Sequence, residues 1–386
     1  MKDRILYLCP FAHYSGHHPH VVIAEPRRFE EYGMKVDVLT TCGVLQPSDV
    51  PSPTIKYVRA MPVLPFLKYL RKYIVTRWLV MLVECVLTTI KAATLKYKLI
   101  YIRDGEPFLF VPLLLQYFTR KKLVISLTGS ALAPPRIQWN VFRPHRWLYS
   151  IAARIFTSGI SLYNPKRSRL VTQNELLRSK SFQCIPYGVE DDGVRANRTE
   201  SREKLGLPQD KFIVLSFGVT HVGKSIDTIA HAIERVPGAL MYHAGNLRTL
   251  GFVNVPKIDN IVVLDSYITD VMKPCVFGAC DVMVLSYTKD FKSTASMLWE
   301  AAKYKVPVIC SDSGTLGEIT RKYDAGLVFE AENVDSLVNA LNRFRAEKNL
   351  RLNGLSEIAK DFSVEKWATS YKRIFEELLN VNTRAN

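Results

Sequence analysis

The sequence predicts an α/β protein made of two doubly wound sheets. Short apolar runs, each ending in polar or glycine-bearing residues, alternate with helix-period segments from residue 4 to about 190. A polar, charged stretch, "GVRANRTESREKLGLPQDK" (193–211), interrupts the alternation, which then resumes as far as "VPVICSD" (306–312). A chain of 386 residues has room for two such units.

The first unit opens with "RILYLCPF" (4–11), a loop containing Gly16, a helix over 19–33 and a second strand, "KVDVLTT" (35–41). "LIYIRDGE" (99–106), "KLVISLTGS" (122–130), "RLVTQN" (169–174) and "SFQCIPYGVEDDG" (181–193) extend it, the last ending in an acidic run expected to be a surface loop. In the second unit "FIVLSFG" (212–218) leads to a helix through 225–236. "ALMYHAG" (239–245), "NIVVLD" (260–265), "CDVMVLS" (280–286), a helix from about 294 and "VPVICSD" follow. The segment "VEKWATSYKRIFEELLN" (364–380) has helical period. The expected division is 1–195, a basic first domain, then 196–362, then a closing helical segment, 363–386.

Charge separates the two units. The net charge is +16, yet residues 1–200 hold 29 Lys and Arg against 14 Asp and Glu, while residues 201–386 hold 23 against 22. A field concentrated in the first unit favours an anionic partner there. No zinc-finger, helix-turn-helix or aromatic RNP-like pattern supports nucleic acid, so none is expected. The first loop lacks G-x-G-x-x-G, which argues against a dinucleotide oxidoreductase. The seven cysteines are scattered, without CxxC, and read as reduced core residues of a cytosolic protein. The N-terminal run is too short for a signal peptide. "WLVMLVECVLTTI" (78–90) contains Glu84 and falls short of the roughly 20 residues needed to span a bilayer.

The most informative stretch is "YTKDFKSTASMLWEAAKYK" (287–305). A buried strand ends just before it and a helix begins within it. Ser293, Thr294 and Ser296 lie near that helix start, where unpaired N–H groups and the positive dipole end make an anion site. Each hydroxyl also suits a plain helix cap. Lys289 and Lys292 add positive charge, and Glu300 lies about one and a half turns in, placed to meet hydroxyls at the far end of a ligand. In "FGVTHVGKS" (217–225) a strand ends at Gly218, and Lys224 faces the same region from a neighbouring loop. In "SDSGTLGEI" (311–319), Gly314 and Gly317 permit tight turns. Glu318 there is either a cap acid or a ligand to sugar hydroxyls.

The first unit offers the loop "HYSGHHPH" (13–20), with four histidines. No carboxylate or cysteine joins it locally, so no metal site is expected. Gly16 allows close backbone approach to a ligand, and His17 or His18 is a candidate acid/base or diphosphate contact. Asp104, at another strand end, is the second acid/base candidate. Residues 59–122 hold 12 basic and 3 acidic residues interleaved with Phe66, Tyr69, Tyr73 and Trp78. That pattern suits an anionic membrane surface.

Taken together, the string "ACDVMVLSYT…TASMLWEAAKYKVPVICSDSGTLGEI…AGLVFEAENVDSLVNAL", with "IPYGVEDD" and "DFSVEKWATSYKRIFEELL", resembles the GT-B glycosyltransferases of family 4. The resemblance covers nearly the whole chain. It implies two Rossmann-like domains facing a cleft, with the C-terminal helix crossing back to the first. It also implies an acceptor-binding first domain and a second domain that binds a nucleotide diphosphate-sugar, UDP-linked in most relatives. The implied reaction is hexosyl transfer with retention, without a metal or a separate cofactor. The implied donor residues are Gly16, Gly218, Lys224, Lys292, Ser293, Thr294, Ser296, Glu300 and Glu318, with Glu300 on the ribose. The catalytic candidates are Asp104, His17 and Lys224. Departures are concrete: the first glutamate of E-x(7)-E is Lys292, Val219 replaces an arginine, and Thr128 stands where a histidine is frequent.

The expected acceptor is a lipid-linked saccharide or glycolipid at the cytoplasmic membrane face, in polysaccharide or cell-envelope glycan synthesis. The alternatives are a soluble small-molecule acceptor and a non-catalytic sugar-nucleotide binder.

Overall fold

The computed structural model describes residues 4–10, 18–40, 57–59, 74–103, 111, 119, 121–127, 167–172, 182–220, 223–247, 259–291, 295–347 and 353–380. The first sheet contains β1 (Ile5–Cys9), β2 (Val36–Thr40), β3 (Tyr57–Arg59), β4 (Leu99–Ile102), β5 (Lys122–Leu127), β6 (Ser168–Thr172) and β7 (Phe182–Cys184). Their spatial order is β3-β2-β1-β4-β5-β6-β7, with parallel pairing throughout. Strands β1, β2, β4 and β5 are buried along their whole length. That explains their near-continuous apolar runs: a parallel sheet is covered on both faces, so alternation disappears.

Helix α1 (His18–Glu31) returns the chain from β1 to β2, and α2 (Ile74–Thr94) packs against β1 and β2. Among the described residues no helix is long and apolar enough to cross a membrane.

The second sheet contains β8 (Phe212–Phe217), β9 (Ala239–Ala244), β10 (Ile261–Leu264), β11 (Val282–Leu285), β12 (Val308–Ser311) and β13 (Gly326–Phe329), in the order β10-β9-β8-β11-β12-β13. Around it lie α3 (Arg198–Lys204), α4 (Ile226–Glu234), α5 (Lys273–Ala279), α6 (Ser296–Tyr304), α7 (Leu316–Lys322), α8 (Val334–Ala346) and α9 (Asn353–Asp361). In both sheets the strand order reverses once, between β1 and β4 and between β8 and β11. In such sheets the crevice at the reversal, outside the carboxyl ends of the strands, is the natural ligand position.

The last helix, α10 (Val364–Asn380), belongs to the first lobe. Val364, Trp367, Ala368, Tyr371, Ile374, Phe375 and Leu378 recur at helical spacing and are buried. All but Val364 join a core with Tyr7, Phe29 and Tyr101. Trp367 stacks on Phe29 at 4.8 Å, and Tyr371 meets Tyr101 edge-on at 5.4 Å. Beneath these rings the Tyr7 hydroxyl donates to Glu25 at 2.7 Å, the Tyr101 hydroxyl donates to it at 3.2 Å, and Tyr101 and Tyr371 share a hydrogen bond of 3.1 Å.

The two chain crossings between the lobes run side by side. Gly188 and Val189 N–H groups donate to the Phe362 carbonyl at 3.0 and 2.7 Å, and Val364 N–H donates back to Val189 at 3.1 Å. Gly188 has φ +85, and a methyl group there would sit 3.1 Å from Trp367 Cγ, so glycine answers both a turn and a close approach.

The acidic run "EDDG" is a surface loop, as expected, with Asp191 and Asp192 exposed, and its ion pairs make it a strap between elements. Glu190 pairs with Arg28 of α1 and with Lys303 of α6 at 2.5 Å, Asp192 with Lys303 at 2.9 Å, and Asp191 with Lys305 at 2.5 Å. Partial burial works against the Glu190 charge, yet Lys303 and Arg28 outweigh it and hold the carboxyl below its usual range.

Trp367→Ala should lower the unfolding free energy by about 3–5 kcal/mol, the usual cost of emptying a large aromatic site. Urea melts followed by circular dichroism measure it. A loss below about 1 kcal/mol would mean the helix is not integral to the first core.

Candidate functional site: the carboxyl edge of the second sheet

The reversal between β8 and β11 is closed by a backbone bridge between Lys224 and Tyr287. The loops after both strands therefore meet. Gly218 ends β8 with φ +87; a methyl there would lie 3.2 Å from Met297 Sδ and 3.4 Å from Lys224 Nζ. Gly218, Lys224 and the first turn of α6 are thus in one place, as the sequence predicted. Gly245, ending β9, is more constrained: its φ is +154, and an added methyl would lie 2.3 Å from the Gly218 carbonyl oxygen. Two strand ends approach here more closely than any side chain permits.

Among the described residues, the helix starts at this edge show no side-chain cap from their N-cap positions. Ser225 before α4, Ala295 before α6 and Thr315 before α7 make no side-chain cap hydrogen bond. Elsewhere the chain does use caps: Asn197 accepts from Thr199 and Glu200 N–H before α3, and Asn333 from Ser336 N–H before α8. The first-turn N–H groups and the dipole end of α6 favour an anion beside Lys224.

Lys224 donates to the Phe217 carbonyl at 2.7 Å. Part of its side chain still reaches solvent, but lost hydration lowers its pKa to about 7. Below it, His243 is fully buried with Nδ1 3.1 Å from Ser216 Oγ and Nε2 unpartnered among the described residues. Burial, reinforced by the nearby Lys224 charge, lowers the His243 pKa to about 4. Near pH 7 the imidazole is neutral, and Lys224 is the titrating cation.

Glu300 lies one turn beyond Met297 on α6. Lys273 of α5 donates to its Oε1 at 2.8 Å and also pairs with Asp270 at 2.9 Å. Behind Glu300, Trp299 stacks on Tyr187 at 5.3 Å. Burial raises the Tyr187 hydroxyl pKa, the Glu300 charge raises it further, and Arg103, Arg28 and Lys273 oppose the rise. Charged groups of both lobes therefore converge on Tyr187, which marks the cleft.

Of the predicted site residues, Gly218, Lys224, Ser296 and Glu300 share this edge. Ser296 is half-buried as the first residue of α6, and Glu318 is exposed in the first turn of α7. Lys292, Ser293 and Thr294 lie outside the described residues, as do Gly16, His17 and Asp104. The strands that lead to the last three, β1 and β4, are neighbours paired from Ile5↔Leu99 to Leu8↔Ile102, at the first sheet's own reversal. His18 begins α1. Among the described residues no cluster of three His, Cys, Asp or Glu side chains could hold a metal ion; the four-histidine loop falls largely outside them. Sequence reasoning missed Lys273, Tyr187 and His243. A single lysine at a helix start or histidine in a strand carries no signal of its own, because its partners are distant in sequence.

Residues 257–361 match the family model described as glycosyl transferases group 1. That span contains Lys273, Glu300 and Glu318. Whole-chain likeness in structure extends to Anabaena HepE, solved in complex with UDP and with UDP-glucose, at TM-score 0.69, 15% identity, and 97% and 99% coverage of the two chains. It extends also to WaaG, a glycosyltransferase involved in lipopolysaccharide biosynthesis, at TM-score 0.64, 14% identity, and 97% and 99% coverage. The chain has the GT-B fold of glycosyltransferases. In sequence, the GT-B chain is 25% identical over 189 residues to Bacillus subtilis (strain 168) TuaC, assigned to teichuronic acid biosynthesis as a glycosyltransferase. That match spans 46% of this chain and 45% of TuaC, less than half the length of either.

The electrostatics around Lys224 set a pH dependence. Burial brings the Lys224 pKa to about 7, and an anion placed beside it would favour the charged form. Between those two pKa values binding takes up a proton, so affinity falls as pH rises. Inorganic pyrophosphate, used as a plain anion probe, should bind up to tenfold more weakly per pH unit between about pH 7 and 9. Titration calorimetry in buffers of different ionisation enthalpy should show proton uptake in the wild type and none in Lys224→Met. Equal proton exchange by the two proteins would remove Lys224 from the anion site.

Proposed function

We propose that this protein transfers a hexosyl group from a nucleotide diphosphate-sugar, UDP-linked, to a saccharide or lipid-linked acceptor at an anionic membrane surface. The observation that carries the reading is Glu300, with a carboxylate oxygen unshared among the described residues, on a helix that lies within the glycosyl transferases group 1 span and whose first turn meets Gly218 and Lys224. The α6 dipole and Lys224 take the diphosphate, and Glu300 takes the ribose. As the glycosidic bond breaks, negative charge grows on the departing diphosphate. Fixed cations and N–H groups stabilise that charge without reorganising, usually the largest contribution in such sites. The proposed chemistry retains anomeric configuration and draws on lysine and helix N–H groups in place of a metal. His17 and Asp104, beyond the carboxyl ends of β1 and β4, are the acid/base candidates of the facing lobe.

Polysaccharide or cell-envelope glycan assembly at the cytoplasmic face is the proposed setting. Support comes from the assignment of TuaC to teichuronic acid and of WaaG to lipopolysaccharide, and from the basic, aromatic-bearing segment 59–122.

A thermal-shift screen of nucleoside diphosphates and their sugars tests the donor. At 100 times its dissociation constant a ligand adds about 2.7 kcal/mol to the folded state. UDP or a UDP-sugar should raise the midpoint of the wild type, and Glu300→Ala should lose most of that rise relative to its own unliganded midpoint. A screen in which no sugar nucleotide moves the midpoint defeats the donor reading.

Vesicle flotation tests the acceptor side. The protein should float with vesicles rich in phosphatidylglycerol at low salt and leave them as salt screens the basic segment. Failure to float at low salt favours a soluble acceptor instead.

A further inference from the structure

Glu300 is held from one side only. Lys273 occupies its Oε1 at 2.8 Å, and the same ammonium is braced by Asp270 at 2.9 Å. The pair is largely enclosed, with side-chain exposures of 17% for Lys273 and 24% for Glu300. Burial opposes the Lys273 charge, but Glu300 and then Asp270 outweigh it and raise its pKa, so the ammonium persists. The other carboxylate oxygen, Oε2, is buried and has no hydrogen-bond partner among the described residues. A buried acceptor left without a donor is costly, and native structures seldom keep one idle.

The asymmetry has a chemical meaning. A free carboxylate rotates and offers either oxygen to any donor. A carboxylate whose first oxygen is clamped by a cation offers only the second, in a fixed direction. Lysine suits this task because its ammonium binds as a point charge, whereas an arginine fork tends to engage both oxygens. The clamp originates outside α6: Lys273 opens α5, which follows β10 at the sheet edge. Its pull on Oε1 is independent of the α6 backbone that carries Glu300.

We infer that Lys273 is a positioning residue for ribose recognition: it claims Oε1 of Glu300 and leaves Oε2 as the single acceptor for a ribose hydroxyl of the donor. The inference rests on the reading that Glu300 meets the donor's pentose, and it assigns the selectivity for ribose over deoxyribose to the pair rather than to Glu300 alone. Asp270 lies outside the contact and acts by holding Lys273.

The test is the ratio of the dissociation constants of 2′-deoxy-UDP and UDP, measured by titration calorimetry on the full chain. In the wild type the missing hydroxyl leaves Oε2 unsatisfied, and the ratio should be about tenfold or more. In Lys273→Met, which keeps the length of the side chain and removes its charge, Glu300 is free to turn. The ratio should then fall below about threefold, with UDP still bound. If Lys273 merely supported the fold, both nucleotides would weaken together and the ratio would stay at its wild-type value, which overturns the inference. Where Lys273→Met does not melt cooperatively, Lys273→Gln, shorter and still polar, is read by the same ratio.

A wild-type protein that binds UDP but shows no preference over 2′-deoxy-UDP also overturns the inference while leaving diphosphate binding intact. A wild-type protein that binds neither nucleotide defeats the donor reading itself. The two failures are therefore distinguishable.

Discussion

The burial of Trp367, Tyr371 and Phe375 against Tyr7, Phe29 and Tyr101 makes one molecule of two sheets. Without it the first sheet would expose an aromatic face, and among the described residues the linker and the ion-paired strap would be left to hold the lobes in register. With it, the crossings at Gly188–Val189 and Phe362–Val364 are fixed beside each other. Glu190 then adds direction: it ties Arg28 in the first lobe to Lys303 on the helix that also carries Glu300. The charge pattern that the composition confines to the first half thus meets a compensating acidic group at the boundary.

At the carboxyl edge of the second sheet, polar groups are buried ahead of any ligand. Lys224 is pressed toward neutrality, His243 is held neutral beneath it, and Glu300 keeps one oxygen without a donor. Each arrangement costs folding stability; in the proposed function Lys224 and Glu300 are the two relieved by a ligand carrying phosphates at one end and hydroxyls at the other. Sites that store such imbalance bind selectively, because a ligand lacking one of those groups leaves a buried atom unmatched. The glycine pair at 218 and 245 serves the same end. Only residues without side chains let β8 and β9 approach closely enough for Lys224 to fold back over the strand end.

Much of this was legible in the sequence. The strands were readable because buried parallel strands leave uninterrupted apolar runs, as in "KLVISL" and "FIVLSF", and the closing helix because its apolar residues recur at 364, 367, 368, 371, 374, 375 and 378. Glu300 and Lys224 stood out because the two loops that carry them follow strands of one sheet and converge at its edge, together with hydroxyl residues at a helix start. Boundaries slipped where local chemistry was weak: the helix expected over 19–33 runs from His18 to Glu31, and the one expected from about 294 begins at Ser296. The ion pairs of the acidic run 190–192 were hidden for a different reason. Its partners, Arg28, Lys303 and Lys305, lie more than a hundred residues away, and tertiary pairing leaves no periodic trace. Lys273 was invisible on the same ground.

One feature of the connectivity governs how the chain assembles. The six strands from Phe212 to Phe329 and their helices enter and leave through two backbone segments that hydrogen-bond to each other, so the second lobe is a closed excursion from the first. Such a unit has its own core and can condense alone, as inserted domains do. The first lobe cannot: its aromatic centre stays open until Val364–Asn380 emerges from the ribosome. In chain order, therefore, the second lobe is complete before the residues that close the aromatic centre of the first.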